Sequence, residues 1–217
     1  MTGAAAFYDL DGTLIPAPGS ERRFLAWLWR GGLISRQQII AGLWFFPRWF
    51  LVYGRHTGRK NKAFYCGLPA NALNALGEQW IKANIKQMLF GEMASHLEAC
   101  RKEGYTLVLL TGAPTFLAKP ICQTLEMNDY IATECHSAGG FFTAAPPERH
   151  PLALEKLALA TAWCNKHGIQ LADCSAFGDS HQDWHLLNAV GKPFAINPDR
   201  KMARLATRAN WPVITTI

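Results

Sequence analysis

Two carboxylates one residue apart follow a short apolar run near the start of the chain. The segment DLDGT at positions 9–13 directly follows AAAFY at positions 4–8. Side chains alternate along a strand, so Asp9 and Asp11 can face one site, and Gly12 permits a sharp turn after them. Two carboxylates that leave a buried strand and enter a turn suit an enzyme of phosphate transfer. The alternative is a strand that ends in an ordinary Asp-Gly turn.

A second apolar run, LVLLTGAP at positions 107–114, ends in a hydroxyl and a glycine. It predicts a strand that ends at Thr111 and a helix that begins after Pro114. The Thr111 hydroxyl can donate to a phosphate oxygen, and the backbone N–H groups from Gly112 onward can form an anion site. Thr-Gly is also frequent in ordinary loops, so this motif has weight only beside the others.

A third motif, SAFGDSHQD at positions 175–183, brings two more carboxylates. It predicts a strand that leads into Asp179, with Asp183 four positions later and Ser180 as a supporting group. Mg²⁺ prefers oxygen ligands and needs only one or two protein carboxylates. Asp179 is therefore a candidate direct ligand, while Asp183 would bind through water or orient Asp179 and a nearby lysine. A solvated acidic helix start is the alternative.

A lysine upstream of this third motif would complete the set. Lys156, within PLALEKL at positions 151–157, can offset negative charge on a nucleophile and on phosphoryl oxygens. Lys119 and Lys166 are poorer candidates by their order and spacing.

The motifs share a structural position. Asp9, Thr111 and Asp179 each end an apolar strand, and ligands of open α/β sheets bind at the carboxyl ends of strands. With Lys156, their order resembles the haloacid dehalogenase superfamily, whose pattern is Asp-x-Asp-Gly-Thr, a Ser or Thr at a strand end, a Lys, and Gly-Asp-x-x-x-Asp. The segment 178–198 is similar to the phosphoserine-phosphatase-like branch, subfamily IB.

The resemblance covers residues 4–15 and 104–215, and its first and last motifs are the specific ones. The chain departs from the pattern at the lysine. The branch commonly has Gly-x-x-Lys or Gly-x-Lys, whereas this chain has Arg-His-Pro at positions 149–151 and then Lys156 without the glycine.

The resemblance implies a Rossmann-like, mainly parallel sheet flanked by helices, and a Mg²⁺-dependent phosphomonoester phosphatase. Asp9 would attack phosphorus and form an aspartyl-phosphate, and Asp11 would serve as general acid and then general base. Mg²⁺ would be held by Asp9, Asp179 and the backbone carbonyl of Asp11. The remaining groups would neutralise the phosphoryl oxygens: Thr111, the Gly112 N–H and Lys156.

Composition indicates a folded protein with one good-sized core and a small second unit. The 217 residues are 49% hydrophobic and 18% charged. The six cysteines have no Cys-x-x-Cys spacing, and the chain enters its first predicted strand almost at once. We therefore expect reduced thiols, no leader peptide and a cytoplasmic location.

Charge divides the chain unevenly. Residues 16–91 hold eleven Lys and Arg against two acids, a net +9 in a chain of net +6, and five of the eight tryptophans. This shift predicts an all-helical cap over residues 16–91, inserted into a core formed by residues 1–15 and 92–217. In the resembling family, an insert at this point closes over the active site and selects the substrate, which would exclude water.

The stretch 39–53 of the cap is too short to cross a bilayer and is interrupted by Pro47 and Arg48. Pro47 should stop or kink a helix that begins near Gln37. We expect the aromatic residues to pack the core of the cap itself. The alternative is peripheral contact with an anionic membrane through the headgroup region. No nucleic-acid recognition motif is present, so no nucleic-acid partner is predicted.

The substrate stays open between a small phosphorylated alcohol or amino-alcohol, such as phosphoserine, and a phosphorylated lipid headgroup as in a phosphatidylglycerophosphatase. Two further alternatives are transfer of the phosphoryl group to another alcohol and a catalytically silent binding protein on the same fold. The presence of all five acidic and hydroxyl groups argues against a silent protein; they are Asp9, Asp11, Thr111, Asp179 and Asp183.

Overall fold

The computed structural model describes residues 3–216 and has a six-stranded parallel sheet at its centre. Its strand order is β3-β2-β1-β6-β7-β8, and β4 pairs with β5 in a separate antiparallel hairpin. The strands are β1 (Ala5–Tyr8), β2 (Thr106–Pro114), β3 (Asp129–Thr133), β4 (Ser137–Ala138), β5 (Phe141–Phe142), β6 (Ser175–Gly178), β7 (Lys192–Ile196) and β8 (Val213–Ile214).

Helices cover the sheet and fill the insertion between β1 and β2. They are α1 (Ser20–Arg30), α2 (Arg36–Tyr53), α3 (Thr57–Lys60), α4 (Ala70–Met88), α5 (Gly91–Lys102), α6 (Thr115–Thr124), α7 (Leu154–His167), α8 (Trp184–Leu187) and α9 (Arg200–Ala209). None of these helices, within residues 3–216, is long and apolar enough to cross a membrane.

Strand β1 is buried on both faces, which explains its unbroken apolar sequence. Tyr8 belongs to the hydrophobic cluster on one side of the sheet, together with residues of the inserted helices. Phe7 belongs to the cluster on the other side, where its ring meets the edge of Trp163 at 5.6 Å. This alternation follows from the twofold side-chain period of a strand.

The inserted segment packs firmly against the sheet domain. Phe24 of α1 has its ring centroid 5.5 Å from Trp80 of α4 and 5.9 Å from Phe116 of α6. The hairpin also joins the insert through its backbone, since the Gly67 N–H donates to the Phe142 carbonyl at 2.8 Å. Inserted helices and sheet therefore share one continuous hydrophobic cluster.

Of the two expected effects of Pro47, a stop or a kink, the stop is wrong, because α2 continues through Pro47 to Tyr53. Proline removes one backbone hydrogen bond, but Pro47 lies on an exposed side of the helix where water can satisfy the freed carbonyl. Across Pro47, aromatic side chains four residues apart contact one another along the helix. The Phe45 and Trp49 ring centroids are 6.2 Å apart, and those of Trp49 and Tyr53 are 5.8 Å apart.

Two smaller expectations also need correction. β2 does not end at Thr111 but continues to Pro114, with a register irregularity against β3 between Leu110 and Pro114. Ser20 is of a type that often caps helices, so the sequence predicts it as the cap of α1, but Gly19 occupies that position and makes no side-chain cap hydrogen bond.

Candidate active site

The acidic cluster lies where β1 and β6 end side by side. These strands are parallel neighbours with Tyr8 opposite Phe177, so the residues that follow them emerge at one edge of the sheet. The Asp9 N–H continues this pairing by donating to the Phe177 carbonyl at 3.0 Å. Carboxylate oxygens of Asp9, Asp179 and Asp183 all lie within 4.8 Å of one another.

Lys156, in the first turn of α7, reaches this cluster from the adjacent side. Its Nζ donates to Asp9 Oδ1 at 2.6 Å and to Asp183 Oδ1 at 2.5 Å. The other Asp183 oxygen accepts from the Ser180 hydroxyl at 3.0 Å and from the Ser180 N–H at 3.2 Å. Of the two roles considered for Asp183, this geometry favours orienting the lysine.

Gly12 permits the close approach of the first and third motifs. Its φ is +100°, which side-chain-bearing residues rarely adopt. A Cβ at this position would lie 2.3 Å from Asp179 Oδ2. Only glycine therefore fits the turn and leaves room for the Asp179 carboxylate.

The Asp11 carboxylate is not one of the three clustered carboxylates; it contacts the start of α1. Its Oδ1 accepts the Ser20 N–H at 2.7 Å, so it closes the amino end of α1 in place of a capping side chain. Burial raises the pKa of Asp11 above its ordinary value, although the hydrogen bonds from Ser20 oppose this. Asp11 thus connects the end of β1 to the first inserted helix while still lining the cleft.

This buried cluster holds three carboxyl groups and one ammonium group. Burial, with the nearby Asp9 and Asp183 carboxylates, raises the pKa of Asp179 to about 8. Burial also raises the pKa of Asp9 to about 7, although Lys156 opposes the rise. Burial alone would lower the pKa of Lys156, but Asp183 and Asp9 together raise it. Three carboxylates facing one ammonium fit a hard divalent cation such as Mg²⁺.

The raised pKa of Asp179 implies that, without divalent cations, the free energy of unfolding depends on pH. The unfolded chain releases this proton near pH 3.8 and the folded chain near pH 8, so stability falls as pH rises through that window. Asp179→Asn removes the penalty. At pH 8 with a chelator we expect its Tm to rise by about 2–4 °C, equivalent to about 1 kcal/mol.

Thermal unfolding of the wild type, Asp179→Asn and the exposed control Asp173→Asn would test this prediction. At pH 5.5 the gain should be smaller, and it should vanish only near pH 3.8, where the unfolded chain keeps this proton as well. Added Mg²⁺ should stabilise the wild type more than Asp179→Asn. A lower Tm for Asp179→Asn at pH 8 would contradict the prediction.

A cleft of about 700 Å³ opens above the acidic cluster, between the sheet and the inserted helices. Thr111 and Gly112 line it together with Asp9, Asp179 and Lys156. The Ala113 N–H donates to Thr111 Oγ1 at 3.0 Å and so orients the Thr111 side chain. The insert contributes mainly basic and apolar groups: Glu21, Arg22, Leu25, Phe46, Arg55, Arg59, Lys62 and Phe64.

Sequence reasoning missed three polar residues of this cleft. The first is His150, which lies beside Gly112. The Thr133 hydroxyl connects the two residues: it donates to the Gly112 carbonyl at 2.7 Å, and its oxygen lies 2.8 Å from His150 Nδ1. Because the Thr133 proton goes to the carbonyl, the Nδ1 must carry the donating hydrogen. Burial and the nearby Lys62 and Lys60 lower the pKa of His150 to about 2, so the ring stays neutral.

The other two form a buried ion pair on the insert side. Lys62 binds Glu21, and its Nζ lies 3.4 Å from the Gly112 carbonyl. Glu21 also accepts from the Tyr65 hydroxyl at 3.2 Å. No local pattern signals this pair, because its members are 41 positions apart in sequence.

The parallel sheet has carboxylates at its strand ends, an ammonium between them and a covered cleft above. This arrangement defines an α/β enzyme with an acidic cluster at its candidate active site. The sequence profile of the haloacid dehalogenase-like hydrolases matches residues 6–188, so the chain belongs to this family. The predicted family, the Rossmann-like α/β fold and the assignment as an enzyme of phosphatase type are confirmed.

Individual relatives agree with this placement. The phosphoserine phosphatase SerB1 of Mycobacterium tuberculosis is 26% identical over 97% of this chain and 70% of its own length. A protein of unknown function from Bordetella pertussis Tohama I has a TM-score of 0.82 at 22% identity, with 99% of both chains covered. A phospho-aspartyl intermediate analogue of phosphoserine phosphatase has a TM-score of 0.64 at 14% identity, covering 99% of this chain and 94% of that one.

Proposed function

We propose that this protein is a Mg²⁺-dependent phosphomonoester phosphatase that works through an aspartyl-phosphate on Asp9. The observation that carries the proposal is the position of Asp9 on the floor of the cleft. One of its oxygens lies 2.6 Å from the Lys156 ammonium, and its carboxylate clusters with Asp179. The phospho-aspartyl analogue among the structurally similar phosphatases supports the same chemistry.

In the first step an Asp9 oxygen forms a bond to phosphorus while the bond from phosphorus to the alcohol oxygen breaks. Asp11 gives its proton to the departing alkoxide; the raised pKa of Asp11 favours the protonated form that this requires. In the second step water attacks phosphorus and loses its proton to Asp11, which releases phosphate and restores Asp9.

Three groups of the cleft receive the charge of the phosphoryl oxygens: the Thr111 hydroxyl, the Gly112 N–H and the Lys156 ammonium. Asp183 and Ser180 hold the lysine in place. Mg²⁺, when bound by Asp9, Asp179 and the Asp11 carbonyl, would screen the repulsion between carboxylate and phosphate.

The substrate proposed is a small phosphorylated alcohol or amino-alcohol that carries further negative charge. The insert presents Arg22, Arg55 and Arg59 to the cleft, and Glu21, whose carboxylate pairs with Lys62, lines it as well. The name of the SerB1 relative supports an amino-alcohol phosphate. In this proposal residues 16–91 act as the cap that selects the substrate, and the protein works in the cytoplasm.

A second candidate substrate is a phosphorylated lipid headgroup. The observation that favours it is Phe46, which lines the cleft from α2, a helix whose outer side is apolar and exposed.

A panel of amino-acid, sugar, nucleotide and lipid phosphomonoesters tests the proposal through phosphate release. We expect turnover with Mg²⁺, loss of turnover with a chelator, and recovery when Mg²⁺ is restored. Release of alcohol without phosphate, in the presence of added acceptor alcohols, would indicate phosphoryl transfer instead. No turnover of any member would contradict the phosphatase proposal.

A further inference from the structure

Helix α2 is apolar on two opposite sides, and only one of them is covered. Gln38, Gly42 and Phe45 form the buried side, which packs against the turn of residues 63–65. The packing is close, since a Cβ on Gly42 would lie 2.3 Å from the Phe64 ring. The outer face of α2 is exposed and consists of Ile40, Leu43, Trp44, Pro47, Phe50 and Leu51.

The outer face has helical spacing, so its members form one stripe. Leu51 is 95% exposed, Trp44 67% and Leu43 62%. A helix that is apolar on all sides is normally buried or in contact with lipid, and large exposed apolar patches on soluble proteins mark binding surfaces. The expectation that these aromatic residues pack the core of the insert is therefore wrong for the outer face.

Charge around the helix identifies the partner. Residues 22–77 contain nine Lys and Arg and no Asp or Glu. Arg36 begins α2, and Arg48 is exposed in its middle with its guanidinium 5.7 Å from the Trp49 ring. Exposed Arg55 and Arg59 follow the helix. A second copy of this chain would bring two basic surfaces together, whereas an anionic bilayer attracts them.

We propose that the outer face of α2 docks this protein on anionic membranes, with the helix lying in the headgroup region. Apolar side chains flanked by arginine and tryptophan suit this depth. Phe46 on α2 and Arg55 and Arg59 just beyond it also line the cleft. Docking therefore brings the insert side of the cleft to the membrane surface. The proposal concerns binding alone and holds whether or not the phosphatase proposal does.

Flotation with vesicles tests the docking. We expect the wild type to bind vesicles of phosphatidylglycerol and phosphatidylcholine at low salt, to bind less at high salt, and to ignore vesicles of phosphatidylcholine alone. Trp44→Gln/Leu51→Gln should lower the partition coefficient about tenfold or more. Val213→Gln, which changes a 50% exposed residue of β8, should bind as the wild type does.

Charge variants and fluorescence separate the two contributions. Arg48→Gln should weaken binding about fivefold at low salt, and Arg204→Gln on α9 should not. Brominated lipids should quench wild-type tryptophan fluorescence more than that of Trp44→Phe. Hydrolysis of a soluble phosphomonoester should be unchanged in Trp44→Gln/Leu51→Gln, because neither residue lines the cleft.

Three results would overturn the docking proposal. The first is no binding to anionic vesicles at low salt. The second is equal binding by the wild type and Trp44→Gln/Leu51→Gln. The third is a concentration-dependent dimer in light scattering that this double variant abolishes, since the face would then join two copies of the chain.

Discussion

Asp9→Asn lowers kcat by about 10⁴-fold or more and leaves the fold intact, if Asp9 is the nucleophile. The amide oxygen of asparagine is neutral and a poor nucleophile, so the first step has no substitute. The change is small in volume and removes one charge from a cluster in which Asp179 and Asp183 crowd Asp9. Folding should therefore tolerate it.

Steady-state turnover, circular dichroism and thermal unfolding measure both halves of this expectation. The control is Asp173→Asn, the same chemical change at an exposed position. Brief reaction with a ³²P-labelled substrate, followed by acid quench, should label the wild type with an alkali-sensitive phosphoryl group and leave Asp9→Asn unlabelled. Turnover in Asp9→Asn above about one hundredth of wild type would remove Asp9 from the nucleophilic role.

The frame of this site was predictable because strand patterns are local. An unbroken apolar run followed by a carboxylate placed Asp9 and Asp179 at strand ends, and parallel pairing places both ends at one edge. Gly12 was expected at a turn, and its φ of +100° confirms that. The steric reason, its contact with Asp179, depends on a residue far away in sequence and could not be predicted.

Groups that reach the site from other elements gave weaker signals. Lys156 lacked the expected glycine, and only the position of α7 brings it within 2.6 Å of Asp9. His150 belongs to the segment Arg-His-Pro at positions 149–151, but it matched no motif. The Lys62–Glu21 pair depends on how α1 meets the turn of residues 61–65, a tertiary contact without local pattern.

For helix α2, rules based on local sequence gave predictions that the structure contradicts. Pro47 was expected to stop or kink the helix, and the aromatic residues beside it were expected to be buried. The first expectation assumes that the carbonyl freed by Pro47 finds no partner, and the second assumes that each aromatic residue is covered by protein. The outer face of α2 is not covered, and the proline is tolerated on that exposed side.

Lys156→Met should reduce both activity and stability. The Lys156 ammonium lies between Asp9 and Asp183, and all three side chains are at most 12% exposed. Without it, Asp183 becomes an uncompensated buried charge, which costs about 3–5 kcal/mol of unfolding free energy. We expect kcat to fall about 10³-fold as well, because the phosphoryl oxygens and Asp9 lose the ammonium that faces them.

The double variant Lys156→Met/Asp183→Asn separates these two effects. Removing the stranded carboxylate should restore most of the unfolding free energy, measured by urea denaturation, while kcat stays low because no ammonium faces Asp9. Lys166→Met, the same change at an exposed position of α7, should alter neither quantity. If the double variant regained activity along with stability, Lys156 would be a structural residue whose charge is dispensable for turnover. A stable but inactive double variant would instead place its ammonium in the chemistry itself.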